Sequence, residues 1–406
     1  MLSQSIRDQV RGTAPLLQEN GELLTRHFYA RMFRGNPELR EVFNQGHQHG
    51  RQQQRALAGA VAAYAEHIDD PSVLAPVITR IVHKHVSLGI RAEHYPIVGR
   101  HLLASIREVL GEEIATDGLI AAWTAAYGEL ADIFIAEETR LYHDSAQRPG
   151  GWTGWRSFRV AARRRESAEI VSFELMPADG GQVPAYVPGQ YVSVRVLVPE
   201  FGMMQARQYS LSDAPGGDRL RISVKHERGA DVAPDGMVSS VLHTNIAEGD
   251  VVEVAPPMGD FQLHVDRDTP VVLLSGGVGL TPVVSILNHL AAVAQSRQVR
   301  FVHACRDRDT HAMKEHINAL ARDRDNVHKV VFYEQVGPQD RSGDDYDHVG
   351  RIDLHRIRDV AILPDADYYL CGPLPFMGEQ QRVLRELGVP AERIHAEAFG
   401  TGGPGM

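Results

Sequence analysis

The hydrophobic pattern of this 406-residue chain changes twice, and that change constrains its fold more than any other feature. Residues 1–145 repeat apolar side chains at helical spacing. After a Pro/Gly linker at 148–152, residues 152–264 form short alternating runs, which predict an antiparallel β-barrel. From 268 to 406 strand and helix patterns alternate, which predicts a parallel sheet with crossover helices. We therefore expect an all-α domain (1–145), a β-barrel domain (152–264) and an α/β domain (268–406).

The composition excludes several classes of protein. The 42 basic and 52 acidic residues give a formal charge of −10 with no basic block, so nucleic acid is not an expected partner. The segment Met1–Arg7 has no apolar core of signal-peptide length, and no apolar run approaches the ~18 residues of a membrane span. Two cysteines, Cys305 and Cys371, suit a reducing compartment. We expect a cytoplasmic monomer without a transmembrane segment.

Two loops in the α/β domain predict a nucleotide site. The strand Val271–Leu274 runs into a glycine-rich turn, followed by Thr281 as the expected helix N-cap and Pro282 at the first helical position. Glycines let a ligand approach the backbone, and a helix N-terminus attracts pyrophosphate. The second loop follows Tyr368–Leu370, and the carboxyl ends of parallel strands share one crevice. A plain strand–helix turn is the alternative, and Cys371 is either near a nicotinamide ring or a small buried residue. The candidates are Gly276, Gly277, Val278, Gly279, Leu280, Thr281, Pro282, Cys371, Gly372 and Pro373.

The run Arg207-Gln208-Tyr209-Ser210 in the β domain supplies what a flavin nucleotide needs: a cation for its pyrophosphate, a flat ring and a hydrogen-bonding hydroxyl. With the two loops that follow it, this run resembles the FAD/NAD(P)H modules of the ferredoxin-reductase family over about 155–400. The resemblance implies that Arg207 neutralises the FAD diphosphate, Tyr209 stacks on the flavin and Ser210 bonds near its N5. It adds as FAD-site candidates Gln208, Tyr191, Ser239, Glu397 and Phe399, the last covering the flavin face that a nicotinamide must reach.

Some positions depart from that family's pattern, and the sequence does not decide whether NADH or NADPH is the preferred nucleotide. Leu280 stands where a polar residue is frequent, and Thr401 where a proline is. Arg306 and Arg308 follow a predicted strand where a 2′-phosphate could be read, although solvated arginines fit equally well. The stretch Glu227–Gly236 is longer than the family pattern leads us to expect.

In the helical domain His85 lies on the apolar face of the helix at 77–90. A lone histidine on such a face is more often a hydrogen-bonded core residue than a metal ligand. Tyr29 and Tyr95 supply phenols, and Glu137 interrupts the apolar stripe of the last helix with a carboxylate. A buried carboxylate needs a partner, and a histidine bound to iron usually gives its second N–H to an oxygen. Together these residues strengthen the case for His85 as a metal ligand.

This set resembles the globins, and with the reductase attached it resembles the bacterial flavohaemoglobins over nearly the entire chain. The matching positions are Arg26-His27-Phe28-Tyr29, Asn36–Leu39, Phe43, Gln53, Leu57, Lys84-His85, Tyr95 and Glu137. The resemblance implies haem b, with His85 as proximal iron ligand and Tyr95 and Glu137 as its hydrogen-bonding relay. Tyr29, Phe43, Gln53 and Leu57 would line the haem pocket. Lys84 would tune the haem potential, unless it is a solvated surface lysine.

Flavohaemoglobins are nitric oxide dioxygenases, so the resemblance implies a reaction as well. Electrons would pass from NADH or NADPH to FAD and then to haem, and nitric oxide and O2 would become nitrate. Tyr29 would donate a hydrogen bond on the distal side, where a lipid is a further candidate ligand. Two alternatives remain, a haem-based sensor of O2 or nitric oxide and a general flavin-dependent reductase. The flavin and nicotinamide motifs favour an enzyme, because a sensor needs no continuous reductant.

Overall fold

The computed structural model describes residues 2–42, 52–229, 235–293 and 296–399, and of 52–56 it describes only the backbone. The chain divides into two compact units. One comprises Met1–Trp155 with Arg195–Arg207, and the other comprises Arg156–Val194 with the chain from Gln208 onward. The bounds predicted for three separate domains stay a prediction.

Helices form the described part of the chain before Arg156. They are α1 (Gln4–Gly12), α2 (Ala14–Gly35), α3 (Gln52–Glu66), α4 (Ala75–Leu88), α5 (His94–Leu110) and α6 (Asp117–Gln147), with 3-10 turns at Pro37–Arg40 and Pro71–Leu74. Side chains fix their ends: the hydroxyl of Thr116 accepts from the amide of Leu119 at the start of α6. Helix α4 ends because Gly89 adopts a φ of 79°, a left-handed conformation that glycine adopts without strain.

Two buried clusters hold these helices together. One contains Phe28, Tyr29 and Trp123, and the other contains Tyr95 and Phe134. By length and composition α6 could cross a membrane. It nevertheless supplies side chains to both clusters, which is how the core helix of a globular domain behaves.

Strands then form the antiparallel domain that the sequence predicts. They are β1 (Arg156–Arg165), β2 (Ile170–Pro177), β3 (Tyr191–Val198), β4 (Met203–Ser210), β5 (Leu220–Lys225) and β6 (Val251–Val254), with helix α7 (Met237–Thr244) between β5 and β6. Their order in the sheet is β4-β3-β6-β1-β2-β5. A bridge from Leu211, the residue after β4, to Ile222 of β5 joins the two ends of this row. The row therefore closes on itself, as in a small barrel.

The last part of the chain forms a parallel sheet with crossover helices, which confirms the predicted fold class. Its elements are β7 (Val271–Gly276), α8 (Leu280–Val293), β8 (Val299–Cys305), α9 (Lys314–Asp323), β9 (Val327–Tyr333), β10 (His348–Val349), α10 (Arg358–Ala361), β11 (Asp367–Cys371), α11 (Leu374–Glu386) and β12 (Ile394–Glu397). The strand order is β10-β9-β8-β7-β11-β12, parallel throughout. Every residue of the central strand β7 is buried, as expected with helices on both faces.

Candidate functional site

His85, near the end of α4, is held by two other helices. Its Nδ1 lies 2.7 Å from Oε1 of Glu138 on α6 and 3.2 Å from the hydroxyl of Tyr95 on α5. The Tyr95 hydroxyl donates to the same Oε1 at 2.5 Å. Because that oxygen is an acceptor, Nδ1 carries the ring proton and Nε2 keeps a lone pair. No hydrogen bond reaches Nε2 of His85 from the residues that the structure describes.

The prediction that Glu137 is the carboxylate of this relay is wrong. Glu137 is exposed and accepts from Nη2 of Arg140 at 2.9 Å, whereas the Glu138 side chain is 3 % exposed. From Phe134, position 138 is about 40° away around the helix and position 137 about 60° away in the other direction. Helical spacing alone therefore does not decide which glutamate faces the core. The buried stripe continues through Glu138 to Tyr142, at steps of four. Tyr142 was the sequence signal for the correct glutamate.

The phenol of this relay stays protonated. Burial, followed by the hydrogen bond to Glu138, raises the pKa of Tyr95. The hydroxyl of Tyr127 donates to the backbone carbonyl of Tyr95 at 2.8 Å, and the hydroxyl of Tyr142 donates to that of Ile90 at 2.6 Å. Tyr95 and the turn that follows α4 are therefore both tied to α6, so the His85 ring has little freedom to rotate.

Of the other predicted haem-pocket residues, some lie in the helical core and some lie outside the described residues. Tyr29 is buried, with its ring edge-on to Phe28 and stacked on Phe33 at centroid distances of 5.0 and 5.9 Å. Leu57 packs on the same cluster, and Lys84 is half-buried beside His85. Phe43 and the side chain of Gln53 lie outside the described residues. The roles of these residues stay predictions.

The predicted flavin residues lie along β4 and at two neighbouring positions. Arg207, Gln208 and Tyr209 are half-buried and Ser210 is buried, with Arg207 and Tyr209 on one face of the strand. Tyr191 begins β3, where its backbone exchanges two hydrogen bonds with Met258.

Ser239 lies in the first turn of α7. Its hydroxyl donates to the carbonyl of Gly236 at 2.8 Å and accepts from the amide of Glu227 at 3.3 Å. The hydroxyl therefore fixes the entry to the helix whose N-terminal amides are candidates for the pyrophosphate.

The structure brings the two predicted nucleotide loops together. Cys371 at the end of β11 pairs with Ser275 of β7 on one side and with Glu397 of β12 on the other. A Cβ added to Gly279 would overlap the carbonyl oxygen of Cys371, so the turn can approach β11 this closely only with glycine there. A Cβ added to Gly372 would lie 2.7 Å from the ring of Phe376. Both loops thus meet at the carboxyl end of the sheet, which is where ligands of open α/β sheets bind.

The helix after the glycine-rich turn begins earlier than predicted. Gly277–Gly279 already winds as a 3-10 turn, and α8 starts at Leu280. The hydroxyl of Thr281 donates to the carbonyl of Val278 at 3.1 Å and does not cap the helix. Pro282 lies in the first turn, where the missing N–H costs nothing. The cap prediction is wrong because Gly277, with a φ of 55°, turns the chain into the helix first.

Cys371 is a small buried residue. Its side chain is fully buried in the cluster that contains Leu280 and Val283. Burial raises the pKa of its thiol well above the usual value, and the charge of Glu397 adds to this. Glu397 is half-buried on β12 and Phe399, two residues later, is 42 % exposed. Any contact of Glu397 or Phe399 with a cofactor stays a prediction.

Comparison with known families divides the chain in the same order. A globin model matches residues 26–134, an oxidoreductase FAD-binding domain matches 157–263 and an oxidoreductase NAD-binding domain matches 273–382. A flavohemoprotein from Bordetella parapertussis is 68 % identical over 404 residues, covering 99 % of this chain and 100 % of its own. One from Chromobacterium violaceum is 57 % identical over 401 residues, covering 99 % of both chains.

Solved structures agree with these relatives. The crystal structure of a flavohemoglobin from Malassezia yamatoensis with bound FAD and heme has a TM-score of 0.85 at 28 % identity, covering 98 % of this chain and 100 % of that one. The FAD/NAD-binding domain of a nitric oxide dioxygenase from Vibrio cholerae has a TM-score of 0.54 at 40 % identity, covering 60 % of this chain and 98 % of that one. These matches confirm the resemblance, and the chain belongs to the flavohemoprotein family.

Proposed function

We propose that this chain is an NAD(P)H-dependent nitric oxide dioxygenase that converts nitric oxide and O2 to nitrate. The observation that carries the proposal is the buried carboxylate of Glu138, which accepts from both Nδ1 of His85 and the hydroxyl of Tyr95. The Vibrio cholerae relative named as a nitric oxide dioxygenase supports the same activity.

The residues around His85 fit a haem. The ring presents the lone pair of Nε2, and its surroundings are largely apolar, with Val82, Ile90 and Phe134 in the adjoining cluster. Haem bound at His85 would supply the iron that takes up O2 and oxidises nitric oxide, with electrons delivered through FAD. The chain's part is to hold the imidazole in one tautomer and one orientation, which Glu138 and Tyr95 do from two different helices.

The hydrogen bond from Nδ1 to a carboxylate favours oxygen activation over reversible oxygen storage. A charge-assisted bond gives the imidazole partial imidazolate character and makes it a stronger electron donor. In a haem held by His85, such donation would favour cleavage of the O–O bond, which dioxygenation requires. Glu138 is held away from water, so its effect on the ring is not screened.

The reductase residues fit FAD and a nicotinamide nucleotide. Arg207 supplies a cation, Tyr209 a ring on the same face of β4 and Ser210 a hydroxyl one residue further. The turn at Gly276–Gly279 leads directly into the N-terminus of α8, which suits a pyrophosphate. A sensor would need neither site.

We further propose NADH as the preferred reductant. Arg306, a candidate for binding a 2′-phosphate, forms a short ion pair with Glu169. That hydrogen bond raises the pKa of Arg306, and the charges of Asp307 and Glu334 act in the same direction. Arg308 donates to the carbonyl of Gln339 at 3.4 Å. Glu169, Asp307 and Glu334 place three carboxylates around Arg306, so the roughly two negative charges of a 2′-phosphate meet like charges at this corner.

Replacing Glu169 with glutamine is expected to lower the KM for NADPH by about two- to fivefold, since an exposed ion pair is worth ~0.5–1 kcal/mol. The KM for NADH should stay within about twofold of the wild-type value. Steady-state dye reduction with each nucleotide measures both constants. Glu174→Gln, on strand β2, which begins directly after Glu169, but paired with Arg219, is the matched control. An unchanged NADPH constant would show that Glu169 does not set the preference.

Nitrate stoichiometry tests the proposed reaction. Each nitric oxide oxidised by O2 needs one electron and a hydride delivers two, so the ratio of nitrate formed to NADH consumed should be about two. Dye reduction without nitrate would identify a general reductase. A change in the haem spectrum on ligand binding without turnover would identify a sensor.

We propose that the enzyme is a monomer and that it works in the cytoplasm. Cys305 and Cys371 are both free and buried, which suits a reducing compartment. Sedimentation analysis and cell fractionation would test these two statements. A lipid in the distal pocket stays a prediction.

A further inference from the structure

A hydrogen-bonded network centred on Asp213 joins the flavin strand to the nucleotide-binding helix. Asp213 lies three residues after Ser210, the last residue of β4. Its backbone carbonyl accepts from the hydroxyl of Tyr186 at 2.8 Å and from that of Ser285 at 2.6 Å. Its side-chain Oδ1 accepts from Nδ2 of Asn288 at 2.7 Å. One residue therefore receives bonds from two separate parts of the chain.

The partners of Asp213 on α8 are rigidly placed. Ser285 and Asn288 lie one turn apart on the same face of α8, and Ser285 is fully buried. Oδ1 of Asn288 accepts in turn from Nε2 of His316 on α9 at 2.7 Å. Helix α8 begins directly after the glycine-rich turn, so its position fixes that of the pyrophosphate site.

Residues of the barrel domain also hold Asp213 in place. Its Oδ1 also accepts from the amide of Ala214 at 2.9 Å, and Oδ2 lies 3.5 Å from Nη1 of Arg221 on β5. The same guanidinium donates a short hydrogen bond to the carbonyl of Ser212. The loop after β4 is thus anchored to its own domain and cannot follow α8 independently of the barrel.

Two other hydrogen bonds between the barrel and the parallel sheet attach elsewhere. The amide of His264 donates to the hydroxyl of Tyr369 on β11 at 2.9 Å, and the amide of Ala168 donates to the carbonyl of Asp309 at 2.7 Å. Neither involves the end of β4 or helix α8. Among these contacts, the Asp213 network is the one that connects the two elements expected to carry the reacting rings.

We propose that Asp213 is a positioning residue for hydride transfer: it holds the end of β4 against α8 and so sets the distance between the flavin and nicotinamide rings. In that step the C4–H bond of the reduced nicotinamide breaks, and its hydrogen passes with both electrons to the flavin, leaving the oxidised nicotinamide. A displacement of ~1 Å can slow such a step by up to about 100-fold. The inference rests on the FAD and NAD(P)H sites of the proposed function.

The test follows flavin reduction by NADH in stopped flow, with the holoenzyme at saturating NADH. Asp213→Ala should slow this step on the order of 10-fold, leave the Kd for NADH within about twofold and increase the isotope effect with NADH deuterated at C4. Asp213→Asn keeps an acceptor oxygen and should restore the rate. Asp218→Ala, in the same loop but paired with Arg219, is the control and should match the wild type.

Asn288→Ala removes the same bond from the side of α8 and should give the same loss, and the double variant should be no slower than either single variant. The proposal is overturned if flavin reduction in both Asp213→Ala and Asn288→Ala keeps the wild-type rate, or if the loss is matched by lost FAD. Reduction of the flavin by NADH needs no nitric oxide. If none of the proteins formed nitrate, the proposed function would be refuted, but the flavin-reduction rates of the variants could still be compared.

Discussion

Replacing His85 with alanine is expected to reduce nitric oxide consumption to background while NADH-dependent dye reduction stays within about twofold of the wild type. The physical reason is that Nε2 of His85 is the donor that we assign to iron, whereas the residues that we assign to FAD and NADH lie between Tyr191 and Phe399. Nitrate formation and cytochrome or dye reduction, measured on the same preparations, check both halves of the statement.

A second variant keeps this test decisive if the alanine protein holds no haem. His85→Gly leaves room for free imidazole, which should restore the Soret band and part of the nitrate formation. A glycine in this helix costs ~1 kcal/mol relative to alanine, which the unfolding temperature would report. Nitric oxide removal that survives both substitutions without imidazole would place the haem chemistry at another residue.

Replacing Glu138 with glutamine is expected to slow nitric oxide dioxygenation by about 10- to 100-fold, the usual cost of altering the partner of a metal-bound histidine. Glutamine is close to glutamate in size but carries no charge, so the His85 ring loses its charge-assisted bond. The haem midpoint potential should become more positive and the iron–histidine stretching frequency should fall. A redox titration and resonance Raman spectroscopy measure these two quantities.

Glu137→Gln is the matched control, because the two glutamates are adjacent on α6 and only Glu138 reaches the His85 ring. Its nitric oxide turnover and haem potential should stay within about twofold and a few millivolts of the wild type, since an exposed charge is screened by water and salt. Equal effects of the two substitutions would mean that charge on α6 acts at a distance and that the relay geometry has no special role.

The sequence predicted the fold class and both nucleotide loops because these depend on local patterns. Alternating strands and helices define the parallel sheet, and the turn at Gly276–Gly279 and the loop at Cys371–Pro373 each follow a strand of it. Parallel strands place their carboxyl ends at one edge, so the meeting of the two loops followed from the pattern alone.

The sequence did not resolve features that depend on packing between distant residues. Positions 137 and 138 differ by one step on α6, and only the contact with His85 on another helix distinguishes them. The bonds of Asp213 to Ser285 and Asn288 join residues 72 and 75 positions apart, and a single aspartate in a loop carries no signal of such partners. The entry to α8 was misjudged because a glycine with positive φ lets the chain coil before the usual capping residue.

The close approach of Gly279 to the carbonyl of Cys371 has a consequence for how this protein can change. The turn after β7 and the end of β11 share one tight backbone contact, so a side chain at Gly279 would have to displace both segments. The acidic corner around Arg306 has no such restriction, because its charged side chains reach into solvent. If that corner selects the reductant as we propose, evolution or a protein engineer can exchange the reductant there while the phosphate end of the nucleotide site stays invariant.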